Sequence, residues 1–176
     1  VRENGIALED VKAVGHRVVH GGDKFQSSVE ITDEVIKTIQ EVSDLAPLHN
    51  PANLMGIVAA QEVLPDAKQV AVFDTAFHST MPDYAYRYAV TSAWYRELGV
   101  RRYGFHGTSH LYVSKRSAHL LGKLASECNI VSMHMGSGPS SCAIKHGNSL
   151  ETTLVMNATA GLGMGSHCGH FAPQRP

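Results

Sequence analysis

The sequence predicts an α/β chain shared between two lobes, on three observations. Apolar, β-branched runs at 11–20 and 68–78 flank two stretches of helical periodicity, giving the strand, helix, helix, strand order of layered α/β folds. A polar, aromatic connection with a proline, STMPDYAYRYAV at 79–90, interrupts that pattern after Asp74. In the final third, from 129 on, the period changes to short β runs joined by glycine turns. The first lobe is therefore expected at 1–74 and the second at 75–176. With 176 residues, 43% of them hydrophobic, the chain has enough apolar surface to bury a sizeable core.

Each element has a local reason. VKAVGHRVVH (11–20) reads as a strand that carries Arg17 near its far end, and GGDKF after it as a loop. SSVEI (27–31) reads as a short strand. Thr32 then opens a helix with Asp33 and Glu34 in its first turn, and Val35, Ile36, Ile39 and Val42 recur at helical spacing. In LAPLHNPANL (45–54) two prolines bracket His49 and Asn50, which predicts an extended loop, with Pro51 in the first turn of a helix running to about Leu64. KQVAVFDTAFH (68–78) is a central buried strand ending at Asp74. SAWYREL and TSHLYVSKRSAHLLG (108–122) are helices, the second capped by Thr108 or Ser109 and ended by Gly122. Residues 129–136, 140–147 and 149–155 are three short strands, with a hairpin tip at Lys145–Asn148 where glycine and asparagine tolerate positive φ. The last run, NATAGLGMGSHCGH, is too glycine-rich to be helical without tertiary support.

Composition narrows the function classes. Fifteen Lys and Arg against sixteen Asp and Glu leave a net charge of -1, with no global pull toward nucleic acid or an anionic membrane, so any anion site is local. Cys128, Cys142 and Cys168 lack CxxC spacing and read as buried thiols in a reducing compartment, which points to the cytoplasm. No run approaches a membrane span, and VRENGIALEDVKAV has no signal-peptide pattern. A start without methionine and a stop just after a glycine-rich run suggest a segment of a longer protein.

Several residues carry chemistry, each beside a plainer reading. Arg17 at a strand end can fork a carboxylate or phosphate, or form an ordinary salt bridge. His49 between prolines is a pre-positioned donor or a turn residue. Asp74, emerging from an apolar run, binds a metal, takes a proton, or caps the turn after it. HMGSGPSS (134–141) lies between strands, and Gly136 and Gly138 let backbone N–H groups converge on an anion, though a tight hairpin also wants glycine. It lacks the GxxxxGK[ST] pattern, which excludes a P-loop. His106 and His110, four apart in RRYGFHGTSH, have zinc-ligand spacing but no intervening glutamate, and His106 precedes the predicted helix.

In one order, VGHRVVHGG, APLHNPAN, VAVFDTAFH, RRYGFHGTSH and HMGSG closely resemble the acetokinase family, the bacterial acetate kinases, over nearly the whole chain. The resemblance implies the actin-like, sugar-kinase (ribonuclease-H-like) fold and reversible phosphoryl transfer from ATP to a short-chain carboxylate. It implies Arg17 and His49 as substrate-binding residues and Asp74, His106 and His49 as catalytic ones. His134, Met135, Gly136, Ser137 and Gly138 would form the ATP phosphate-binding turn, with Mg2+ as the accompanying ion. The partners implied are acetate or acetyl phosphate and ATP or ADP, with neither nucleic acid nor membrane, and the parent protein as a homodimer.

The chain departs from the family pattern at its end. Ser137 stands where the family turn has asparagine, NATAG replaces a Thr-Pro-Leu-Glu-Gly run, and His167 occupies a position where the family has a second transition-state arginine. Histidine is mostly neutral at pH 7 and lacks the bidentate fork, so that exchange is not conservative. The family's magnesium-associated asparagine and glutamate lie in parts this chain does not contain. Two further readings are a non-catalytic acetokinase-like binding module and a metal-dependent hydrolase built on the 11 histidines.

Overall fold

The computed structural model describes residues 5, 7–165, 168 and 169. It divides into two compact units, Val1–Phe73 and Asp74–Pro176.

The first unit is built on a three-stranded sheet of β1 (Ala13–Val18), β2 (Val29–Glu30) and β3 (Lys68–Phe73) in the order β1-β3-β2. β1 and β3 are parallel, from Ala13 opposite Lys68 to Val18 opposite Phe73. Parallel neighbours need a long crossover, here supplied by β2, α1 (Asp33–Glu41) and α2 (Asn50–Val63). Thr32 caps α1 by accepting the Val35 N–H at 3.3 Å, as the sequence predicts. Val18, Ile39, Ile57, Ala71 and Phe73 close the core, and each large side chain contributes about 1.5–3 kcal/mol by leaving water. Gly21 is required where it stands, because a Cβ there would lie 2.9 Å from the Phe73 ring.

The stretch before α2 differs from the extended loop predicted. Val42–Leu45 is a 3-10 turn, and the N–H groups of His49 and Asn50 both donate to the Ala46 carbonyl at 3.0 Å. Pro47 suits this turn because its fixed φ matches a turn position. Asn50 is already helical despite preceding Pro51, since its side chain is held at both ends by the His20 backbone.

The second unit begins with a 3-10 turn at Ala76–Thr80, followed by α3 (Asp83–Tyr86), α4 (Ser92–Leu98) and α5 (Gly107–Leu120). Then β4 (Asn129–His134), β5 (Ser140–Lys145) and β6 (Asn148–Thr152) form an antiparallel sheet in that order. Gly122 follows α5 at φ 65°, the expected helix end. The start of α5 is a correction: its cap position is His106, left-handed at φ 56° and ψ 21°, with no side-chain cap. Ser109 does not cap because its hydroxyl bonds His134 instead, and Thr108 is exposed.

The β5–β6 hairpin has positive φ at His146 (51°) and Gly147 (80°), the pairing that a two-residue turn of matched twist demands, while Asn148 has already entered β6. Tyr103, Phe105, Ala118, Cys142, Ile144 and Leu154 form this unit's core. Of the three cysteines, Cys128 and Cys142 are buried as expected, but Cys168 is exposed. Residues 153–165 contain no helix, in keeping with their glycine content. No described helix is long and apolar enough to cross a membrane.

Candidate active site

In the first unit Arg17 is the exposed penultimate residue of β1. The chain leaving that strand is held from α2. Asn50 Oδ1 accepts the His20 N–H at 3.1 Å and its Nδ2 donates to the His20 carbonyl at 2.9 Å, while Asn53 Oδ1 accepts the Val19 N–H at 3.1 Å. Asn50 thus behaves as a piece of strand backbone, and being wholly buried it leaves no polar end unmet. His49, beside it, is exposed at the cap position of α2. The sequence reading missed both asparagines; their signal was the i, i+3 repeat within HNPAN.

In the second unit the site grows from the exit of the strand that ends at Phe73. Asp74 is 2% exposed, and its carbonyl accepts the Gly107 N–H at 2.9 Å. His78, wholly buried, donates from Nε2 to the Phe105 carbonyl at 2.9 Å; its Nδ1 accepts from the Ser149 hydroxyl at 2.8 Å. That spends the Ser149 proton, so the Cys142 thiol, 3.3 Å away, is a donor to Ser149. Phe105 and Gly107 are therefore both anchored, and His106 between them is held left-handed, a conformation that non-glycine residues adopt at a cost of about 1–2 kcal/mol. The glycines of GFHG serve the protein's own packing. A Cβ on Gly107 would strike the Asp74 carbonyl, and one on Gly104, at φ 76°, would meet Thr152 at 2.5 Å and the His78 ring at 2.8 Å.

Four histidines gather here. The His106 ring stacks on His134 with centroids 3.9 Å apart, and His110 stands edge-on to both His78 and His134. His106 Nδ1 and His110 Nε2 lie 2.8 and 2.9 Å from the same Ser140 Oγ, and His110 Nδ1 is 2.7 Å from Ser132 Oγ. The pair with zinc spacing thus converges on a hydroxyl. Burial pushes His78 down to about 4, against the raising effects of the Phe105 carbonyl and the Asp74 carboxylate. Burial, then the neighbouring imidazoles, pushes His110 down to about 4 as well. Both rings are neutral at pH 7.

The turn after β4 presents Met135, Gly136 and Ser137 to solvent, with Gly138 half-buried. The glycine-rich run returns to it, since Gly165 N–H donates to the Ser137 carbonyl at 3.1 Å. His167 lies outside the described residues. Among the described residues, no group of three or more His, Cys, Asp or Glu is arranged to hold a metal.

Residues 3–174 match the acetokinase family. The chain belongs to that family. Its relatives include the acetate kinase of Geobacter sulfurreducens, 57% identical over 96% of this chain and 40% of that protein. Another is the acetate kinase of Trichlorobacter lovleyi, 54% identical over 99% of this chain and 42% of that protein. Among solved structures, Porphyromonas gingivalis acetate kinase superposes with a TM-score of 0.90 at 52% identity, over 95% of this chain and 42% of that one. A Francisella tularensis propionate kinase gives 0.92 at 43% identity, over 98% and 44%. This acetokinase chain therefore has part of the actin-like α/β fold, and it spans about 40% of the length of the curated relatives it matches.

Chemically, the second unit of the acetokinase chain presents imidazole donors beside a glycine turn and a buried carboxylate. Ser132, Ser140, Ser149 and His78 went unnoticed in the sequence, because serines inside β runs carry no positional signal of their own.

Proposed function

We propose that this acetokinase chain carries part of the machinery for phosphoryl transfer between ATP and a short-chain carboxylate, acetate plus ATP giving acetyl phosphate plus ADP. Support comes from family membership, and the one structural observation that carries the reading is His106, held left-handed between two anchors and stacked on His134 beside the 135–138 turn. Phosphoryl transfer needs placement and charge stabilisation more than covalent help. A carboxylate oxygen bonds the terminal phosphorus as its bond to the ADP oxygen breaks, and the electron pair leaves with ADP.

In this reading Arg17 forks the carboxylate, and His49 donates to the same substrate region. His106 donates to an equatorial phosphoryl oxygen. His134 to Gly138 receive the nucleotide phosphates through backbone N–H groups. Magnesium on nucleotide phosphates keeps most of its waters and takes one or two protein carboxylates, and buried Asp74 is an oxygen donor of that kind. When bound, the ion offsets phosphate charge. We assign the parent protein to the cytoplasm and to a homodimer on the family resemblance, with the two buried free thiols in support of the first.

The test is a chimera in which this chain replaces the matching segment of the Geobacter sulfurreducens enzyme, assayed for acetyl phosphate formation. Arg17→Ala and His106→Ala should each lower turnover about a hundredfold, the loss of about 3 kcal/mol of transition-state stabilisation. Unchanged rates in both would sink the assignment. Ser137 and His167 favour a second reading, an acetokinase-like scaffold that binds without converting. Calorimetry showing ATP binding by a chimera that makes no acetyl phosphate would select it.

A further inference from the structure

Ser140 Oγ sits between two imidazoles, 2.8 Å from His106 Nδ1 and 2.9 Å from His110 Nε2, and Ser132 Oγ sits 2.7 Å from the other nitrogen of His110. A hydroxyl has one proton to donate, and a neutral imidazole has one N–H. His110 is 1% exposed and neutral at pH 7, so orienting any one of the three bonds orients the rest.

Three arrangements exist, and burial separates them. If His106 Nδ1–H donates to Ser140, Ser140 donates to His110 Nε2 and His110 Nδ1–H donates to Ser132. The Ser132 proton, on a side chain 3% exposed and bonded to nothing but His110, then has no acceptor. If both rings donate to Ser140, the proton of that hydroxyl, on a residue 1% exposed, is stranded instead. The remaining direction uses every proton: Ser132 O–H to His110 Nδ1, His110 Nε2–H to Ser140 Oγ, and Ser140 O–H to His106 Nδ1. Buried polar groups adopt the arrangement that leaves no donor unmet, and bonds aligned in series strengthen one another.

We propose that Ser132, His110 and Ser140 form a one-way hydrogen-bond relay whose output is the tautomer of His106, with Nδ1 unprotonated and the proton on Nε2. Resting on the phosphoryl-transfer reading above, this makes the three positioning residues for that reaction, because only the Nε2–H tautomer of a neutral His106 presents a donor from the nitrogen that Ser140 does not engage. In the opposite tautomer the same nitrogen is a lone pair facing an anion.

Long-range proton–nitrogen NMR on the full chain labelled with 15N-histidine reads the tautomer directly, with no ligand and no turnover. His106 should show a single form, Nε2-protonated. Ser132→Ala, a full ring and a hydroxyl away, should convert it to a mixture, and Ser132→Thr should restore the single form. A native His106 protonated on Nδ1, or a tautomer indifferent to Ser132→Ala, overturns the relay; the native measurement decides even if a variant does not fold. In the chimera, Ser132→Ala should lower kcat about 10- to 100-fold with KM for ATP and acetate unchanged, as expected for loss of an orienting partner. Turnover surviving His106→Ala would defeat the phosphoryl reading alone, leaving the NMR outcome to judge the relay.

Discussion

Gly107 shows how much one missing Cβ does in this chain. Its N–H reaches the Asp74 carbonyl at 2.9 Å, and a side chain there would enter the space of that carbonyl. Gly107→Ala should separate the start of α5 from Asp74 and destabilise the protein by about 2–4 kcal/mol, read as a lower urea midpoint of Trp94 fluorescence. Buried histidines set the acid limit. His78 falls from 6.5 to about 4 on folding, so the unfolded chain binds the extra proton between those values. The stabilisation is complete above the unfolded value and is lost as pH falls from about 6.5 toward 4, with His110 acting in the same direction. At about pH 5 His78 alone should have cost about 2 kcal/mol, and His78→Gln should flatten the pH dependence of the urea midpoint over that window. Asn50→Ala would strand the buried N–H and carbonyl of His20, a loss of about 2–4 kcal/mol measurable by thermal unfolding.

At the scale of elements, local rules decide most boundaries. α1 starts at Thr32 because its hydroxyl receives an otherwise orphaned N–H, and Thr32→Ala should cost about 1 kcal/mol in urea unfolding. The strands β4, β5 and β6, the hairpin tip and the helix end at Gly122 follow from short β runs and from glycine at positive φ, and all were legible in the sequence. The start of α5 was not legible. Thr108 and Ser109 have the chemistry of caps, but Ser109 finds His134 from a strand 25 residues away, and the anchoring of Phe105 and Gly107 sets the helix start one residue earlier. Tertiary bonds outweigh a capping preference of this size. The same holds before α2, where the turn that carries His49 is shaped by the grip of Asn50 on His20, 30 residues earlier.

For the whole molecule, about 40% of the length of its relatives is present. The chain by itself should form no measurable acetyl phosphate, whereas the chimera should, and His167→Arg in that chimera should raise turnover by supplying a bidentate donor. α3 (Asp83–Tyr86), which forms within the polar connection expected at 79–90, was not legible; by itself the sequence determined the α/β class, the other strands and helices, and the family. Each of those is written in adjacent residues, as periodicity, a cap, a turn glycine or a contiguous motif. Only the tertiary structure decided that His106 is left-handed, that Gly107 admits the Asp74 carbonyl and Gly104 the His78 ring and Thr152 side chain, and that His106 and His110 meet on Ser140. Those facts depend on groups brought together from 22 to 71 residues apart, and a serine inside a strand acquires its meaning from what the fold places opposite it.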